Sequence, residues 1–189
     1  FKENKKNPIS LKEVKLKTPY VSVISTNGGL WRYIIGDVIE FCSIIPHRIK
    51  IIGRTKSYIN TFGEELMVQN TDLALLKTCN TTNCEVKDYT VGPIYINKSS
   101  GGHHWLIEFS TKPKDMSLFT DILDSNIKKI NSDYAAKRTN DLILKKPKIT
   151  CIENQEFYNW LIKKKNLSGQ TKIPRLSNNR KIIEEILQC

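Results

Sequence analysis

The chain has 189 residues, of which 39% are hydrophobic and 26% charged, enough to bury a sizeable core in one domain or in a domain plus part of another. Its 30 Lys and Arg against 19 Asp and Glu give a net charge of +11, which keeps nucleic acid and anionic membrane among the partners to weigh. No apolar run approaches the roughly 20 residues that a membrane span needs, which sets membrane-spanning classes aside and leads us to expect a soluble protein.

The chain opens at Phe1 with a charged stretch, FKENKKNP, without an initiator Met or a signal-like segment, and reads as a piece of a longer protein. Residues 20–25 (YVSVIS) alternate like a strand, Asn27-Gly28 supplies turn chemistry, and LWRYII continues as a second strand of a hairpin. Asp37 to Ser43 and Arg48 to Ile52 predict two further strands, broken at Pro46. Residues 1–53 are therefore strand-rich without a long helix. From Glu64 the spacing changes, and Leu66, Leu73, Ala74 and Leu76 suit an amphipathic helix ending near Thr78. Glu85 to Asn97 and Trp105 to Ser110 read as strands joined by the polar loop KSSGGHH, with Gly101-Gly102 as the turn. No helix start with Lys-Ser/Thr follows that loop, which argues against a phosphate cradle there. Asp115 can cap a long helix carrying Leu118, Ile122, Leu123, Ile127 and Ile130, with a continuation to Arg138. Ile149 to Ile152 predicts a third strand, Glu156 to Lys165 a helix packing Phe157, Trp160 and Leu161, and Lys181 to Leu187 a short terminal helix. The class is α+β: a strand-rich tail, then a small domain in which a β-sheet is covered by helices without clean βαβ alternation.

The basic residues are spread along the chain, densest at Lys145-Lys146-Pro147-Lys148 and Lys163-Lys164-Lys165, and no aromatic-interleaved basic strand accompanies them. A solvated basic face therefore stands above a nucleic-acid groove. Five cysteines, Cys42, Cys79, Cys84, Cys151 and Cys189, are odd in number and scattered, which points to a reducing compartment and a cytoplasmic protein. Cys79 and Cys84 with His103 and His104 suggest zinc only weakly, because adjacent histidines on a strand face opposite ways and cannot readily share one metal. We expect no metal ligands, and read the four as buried thiols and a histidine pair at a hairpin end.

Two stretches inside the strand-rich tail carry nucleotide chemistry, Arg32-Tyr33…Gly36-Asp37 and Gly53-Arg54-Thr55-Lys56. Gly36 gives a tight turn and Asp37 begins a β-branched run, so its carboxylate stands at a strand edge, where it can accept hydrogen bonds from two vicinal ribose hydroxyls. The Arg54 guanidinium, ending another apolar strand, can reach the same ribose or its phosphate. Near the C-terminus, Gly169-Gln170-Thr171-Lys172-Ile173-Pro174-Arg175 is a loop marked by Gly and Pro between two helices, exposed and positionable.

Four stretches together, LWRYIIGDVIEF, KIIGRTKSYINTFGEEL, INSDYAAKR and SGQTKIPRLSNNR, resemble the acyl acid amido synthetases of the Gretchen Hagen (auxin-responsive promoter) group, within the acyl-adenylate-forming superfamily. They occur in the family's order between residues 30 and 180. The resemblance implies that 1–54 are the C-terminal strands of a large ATP-binding adenylation domain and 55–189 a small mobile C-terminal domain. It implies a ribose-binding role for Asp37 with Arg54 and Tyr33, a hinge at Lys56, and a catalytic role for Lys172, which would stabilise negative charge building on the α-phosphate. The spacing before Lys172 is looser than the superfamily's Gly-Lys. The implied reaction uses ATP, usually with Mg2+, to activate a carboxylic acid, and an amine such as an amino acid then releases AMP. Nothing in the chain matches the family's Ser/Thr/Gly-rich phosphate loop, so the piece alone is expected to be inactive. Thioester formation with coenzyme A, a basic nucleic-acid-binding module and a purely structural domain remain the alternatives.

Overall fold

The computed structural model describes residues 8–54, 58–97, 100–164 and 172–188, and the chain divides into two compact units, Phe1–Lys56 and Ser57–Cys189. The first unit is a three-stranded antiparallel sheet in the order β1 (Pro19–Ile24), β2 (Tyr33–Ile44), β3 (His47–Arg54). The sequence predicts two strands where β2 is one. Gly36 does not end the strand; it sits in an irregularity within it. Between the pairs Val21–Val38 and Val23–Ile34, three residues of β2 lie opposite one of β1. Gly36 absorbs the excess with φ of 91°, a conformation that costs a residue without Cβ little. Val38 and Phe41 are buried, and the rings of Tyr20 and His47 meet Phe41 edge-on at 6.0 and 5.8 Å.

The second unit begins with a short antiparallel ladder, β4 (Tyr58–Ile59) and β5 (Leu66–Met67), followed by α1 (Val68–Thr82). The expected helix over 66–78 is thus displaced and its face is corrected. Leu66 lies in β5, and Leu73 and Leu76 are exposed, while Thr71, Ala74, Leu75 and Thr78 turn inward at helical spacing. Threonines can occupy a buried stripe because their hydroxyls bond within the unit: Thr71 and Thr78 donate to the carbonyls of Val68 and Ala74, and Thr71 also meets the Tyr89 hydroxyl at 2.7 Å. Leucine hydrophobicity alone did not reveal that alternative.

Strands β6 (Glu85–Tyr95) and β7 (Gly101–Thr111) pair antiparallel, and β8 (Lys148–Ile152) joins β7 in parallel, giving the order β6-β7-β8. The parallel pair is linked through α2 (Met116–Ile130) and α3 (Ser132–Lys137), so one βαβ crossover exists where the pattern suggested none. Gly101 and Gly102 are not the turn but the start of β7. A Cβ on Gly101 would lie 2.0 Å from the Ile94 carbonyl oxygen and 2.3 Å from the Phe62 ring, so close approach explains this glycine. Residues 101–108 of β7 are all buried, and alternate side chains feed two cores. Trp105 and Ile107 join Leu75, Phe119, Leu123 and Ile127 from α1 and α2. Leu106 joins Phe157 and Trp160 of α4 (Glu156–Lys163) and Ile183 and Ile186 of α5 (Lys181–Leu187). The expected α+β class, a sheet covered by helices, is what the structure has.

Asp115 caps α2 as the sequence predicts, accepting from the amides of Ser117 and Leu118, but the buried stripe is Phe119, Leu123 and Ile127, with Leu118 exposed. The helix does not continue to Arg138. Asn131 is extended, and its side chain accepts from the Tyr134 amide to start α3. This break aims two side chains of the INSDYAAKR stretch at a carboxylate inside α2. Arg138 donates to both oxygens of Asp124 at 2.8 Å, and the Tyr134 hydroxyl donates to it at 2.7 Å. Burial acts to raise the Asp124 pKa, but Arg138, Lys128 and Tyr134 outweigh it and hold the carboxyl below its ordinary value. Arg138→Met is expected to destabilise the unit by about 3–5 kcal/mol, the cost of leaving a buried charge without its partner. Replacing both residues, Asp124→Leu with Arg138→Met, is expected to cost much less. Urea unfolding of both variants checks the contrast.

Candidate functional site

Asp37 and Arg54, chosen from sequence as a ribose pair, are cross-strand partners where β2 meets β3. The backbone thus brings together two positions seventeen residues apart in sequence. Asp37 immediately follows the left-handed Gly36 and is half-buried, and Tyr33 opens the same strand with half of its surface exposed. Asp37 therefore stands within a β-irregularity, not at a strand edge. Such irregularities re-aim side chains and are concentrated beside sites. Lys56 lies outside the described residues.

Lys172 belongs to the other unit. It is exposed, and the residues after it are tied to the edge strand β6. The Val91 amide donates to the Arg175 carbonyl at 2.8 Å, and the Ser177 amide donates to the Val91 carbonyl at 2.9 Å, forming a short parallel bridge. Thr90 donates its hydroxyl proton to the Pro174 carbonyl at 2.6 Å, while Ile173 and Leu176 are buried in separate cores. Pro174 has no N–H to leave unsatisfied, which suits it to a segment bonded on one side only.

A group of side chains that the sequence reading passed over fixes this segment further. Arg175 pairs with Asp88, donates to the Tyr89 carbonyl at 3.1 Å, and lays its guanidinium over the Tyr89 ring, 4.5 Å from the centroid. Tyr89 in turn donates its hydroxyl proton to Asp72 at 2.5 Å and stacks on Trp105 at 5.6 Å. Burial, helped by the hydrogen bond to Asp72, raises the Tyr89 pKa far above its ordinary value, so the ring stays neutral. Downstream, Asn178 accepts from the Asn60 amide and donates to the Tyr58 carbonyl, and Arg180 donates to the Pro93 carbonyl. Tyr58 and Asn60 of the KIIGRTKSYINTFGEEL stretch are thus neighbours in space of Asn178 in SGQTKIPRLSNNR. Arg175 and Asn178 were visible as polar residues inside a recognisable stretch; their partners were not.

The two adjacent histidines make separate contacts. His103 Nε2 lies 2.9 Å from Glu64 and His104 Nε2 lies 2.8 Å from Thr150, on opposite faces of β7 as a strand requires. The pair is buried within β7 and does not stand at a hairpin end. Glu64 also accepts from the amides of Thr61 and Phe62; burial opposes its ionisation, but these bonds and His103 hold its pKa below the ordinary value. Cys79 and Cys84 sit at the end of α1, and burial, with the neighbouring Cys84, pushes the Cys79 thiol up to about 12. Among the described residues no three His, Cys, Asp or Glu side chains form a metal cluster. No described helix is long and apolar enough to cross a membrane.

The fold of the chain is similar to that of solved acyl acid amido synthetases. One structure, described as GH3.15 acyl acid amido synthetase, superposes with a TM-score of 0.76 at 17% identity, over 95% of this chain and 34% of its own. Another, "AtGH3.15 acyl acid amido synthetase in complex with 2,4-DB", gives 0.71 at 19% identity with the same coverages. The chain therefore spans about a third of the length of these relatives. The GH3 family central domain matches residues 1–54 and the GH3 family C-terminal domain matches residues 69–181. The chain belongs to the GH3 family. No curated protein sequence matches it.

Arg180 of the SNNR stretch has an electrostatic consequence. Burial, with the positive charges of Lys148 and Arg180, lowers the His104 pKa from 6.5 to about 4. The neutral ring is favoured in the folded state, so this contribution is complete above the unfolded value and is lost as pH falls from 6.5 toward 4. Between pH 7 and about pH 4.5 the fold is expected to lose on the order of 2.5 kcal/mol from His104. Urea unfolding across that range checks this, and His104→Gln is expected to flatten the slope.

Proposed function

We propose that the chain is the C-terminal part of an ATP-dependent acyl acid amido synthetase. The observation that carries this reading is the succession, along one chain, of a central-domain match and a C-terminal-domain match from the same family. The relative solved with 2,4-DB supports a carboxylic acid as the substrate class. In the proposed first step, a carboxylate oxygen attacks the α-phosphorus of ATP, the bond from that phosphorus to the α–β bridging oxygen breaks, and the β- and γ-phosphates leave as pyrophosphate. In the second, an amine nitrogen attacks the acyl carbon, the acyl–phosphate bond breaks, and AMP departs.

Three assignments follow from that reading. Asp37 accepts hydrogen bonds from the ribose hydroxyls, with Arg54 and Tyr33 beside the nucleotide. Lys172 neutralises charge that builds on the α-phosphate as the carboxylate attacks, a contact that speeds the reaction to the extent that it strengthens in the transition state. Lys56 is the hinge. Family resemblance implies Mg2+ with the ATP, an ion that usually binds through substrate phosphates and one or two carboxylates.

In the full-length protein, acid-dependent pyrophosphate exchange is expected, and none from the 189-residue chain alone; robust exchange by the chain would overturn the assignment. Asp37→Ala is expected to weaken ATP binding by about 1.5–3 kcal/mol, the range for hydrogen bonds to a charged group, as read by calorimetry on the folded variant. Lys172→Ala is expected to slow single-turnover pyrophosphate release by on the order of 100-fold while ATP affinity holds.

A further inference from the structure

Among the described residues, the segment bearing Lys172 makes backbone–backbone bonds to β6 at Val91 alone, one donated by its amide to Arg175 and one accepted by its carbonyl from Ser177. Two backbone bonds at a single residue form a pivot, the Thr90 hydroxyl adds one bond beside it at the Pro174 carbonyl, and the apolar anchors Ile173 and Leu176 are non-directional. The segment runs parallel to β6, with Leu176 beside Val91. Residues before 176 therefore lie alongside residues before 91, and Lys172 emerges toward the Asp88 end. That is where the Arg175 side chain reaches. Its guanidinium holds the Asp88 carboxylate, the Tyr89 carbonyl and the Tyr89 ring at once, extending the attachment back from the pivot toward Lys172. The platform beneath it is itself fixed, since Tyr89 is 3% exposed, stacked on Trp105 and tied through its hydroxyl to Asp72.

We propose that Arg175 is a positioning residue for Lys172, clamping the end of the segment to Asp88 and Tyr89 so that the lysine is offered from a fixed base. The proposal rests on the catalytic reading of Lys172. Arg175 touches no substrate in this account; it acts by limiting the directions from which the lysine side chain starts. A planar fork is suited to this because it satisfies a carboxylate, a carbonyl and a ring face in one geometry, which an ammonium does not.

The test is a double-mutant cycle in the full-length protein, read by single-turnover pyrophosphate release and by ATP affinity. Arg175→Ala is expected to slow release at least 10-fold with ATP affinity within twofold, and to add nothing further in a Lys172→Ala background. Arg175→Lys, which keeps the charge near Asp88 and is the safer variant for folding, is expected to recover only part of the rate. Hydrogen exchange provides a readout without activity: Arg175→Ala is expected to raise exchange at the Val91 and Ser177 amides at least 10-fold while Ile107 in β7 is unchanged. Slowing that multiplies in the double variant, or unchanged exchange at Val91 and Ser177, overturns the positioning role while leaving the catalytic reading of Lys172 intact. A silent Lys172→Ala overturns the catalytic reading, and the positioning role with it.

Discussion

A carboxylate taken out of water must find cations and donors there, and much of the second unit is arranged to meet that demand. Asp124 is 5% exposed in the middle of an otherwise apolar helix face. Lys128 pairs with it from the same helix, while Arg138 and Tyr134 come from the next and reach it because Asn131 breaks the helical run and restarts it. Arg138 also donates to the Leu144 carbonyl, on the segment that leads into β8. The same arginine therefore ties α2 both to the end of α3 and to the segment that leads into β8. Glu64 does the same on a smaller scale, gathering the amides of the loop before β5 and reaching His103 in β7.

This rigid body gives a loop something to be anchored to. Strand β6 is an edge, and an uncovered edge is a liability. Here its groups near Val91 are met by the segment 172–177, which carries an exposed lysine at its start. The same strand supplies Asp88 and Tyr89 to hold Arg175, so edge protection and loop anchoring come from one stretch of backbone. In the first unit the sheet likewise bends where chemistry is proposed, at Gly36 and Asp37.

Much of this was legible in the chain. Strands with clear alternation, the Asp115 cap and the terminal helix over Lys181–Leu187 were readable because each rests on a local rule. The errors share a cause: in each a tertiary contact decided between local options. Leu73 and Leu76 looked like core residues, but the helix buries threonines whose hydroxyls satisfy themselves against the backbone and Tyr89. Gly101 looked like a turn, but it is small because Ile94 and Phe62 press on it. Of the candidate site, the residue types were visible in the four family stretches, and the pairing of Asp37 with Arg54 positions could be anticipated from the strand order. The Arg175 clamp could not, because Asp72, Asp88 and Tyr89 come from helix and strand positions roughly a hundred residues earlier, with no periodicity linking them.

The most direct test of the account is hydrogen exchange on the full-length protein with and without a non-hydrolysable acyl-adenylate analogue. The account predicts that the peptides containing Asp37 and Lys172 both gain protection when the analogue binds, although they belong to different compact units. An analogue that binds and leaves both peptides unchanged would contradict it.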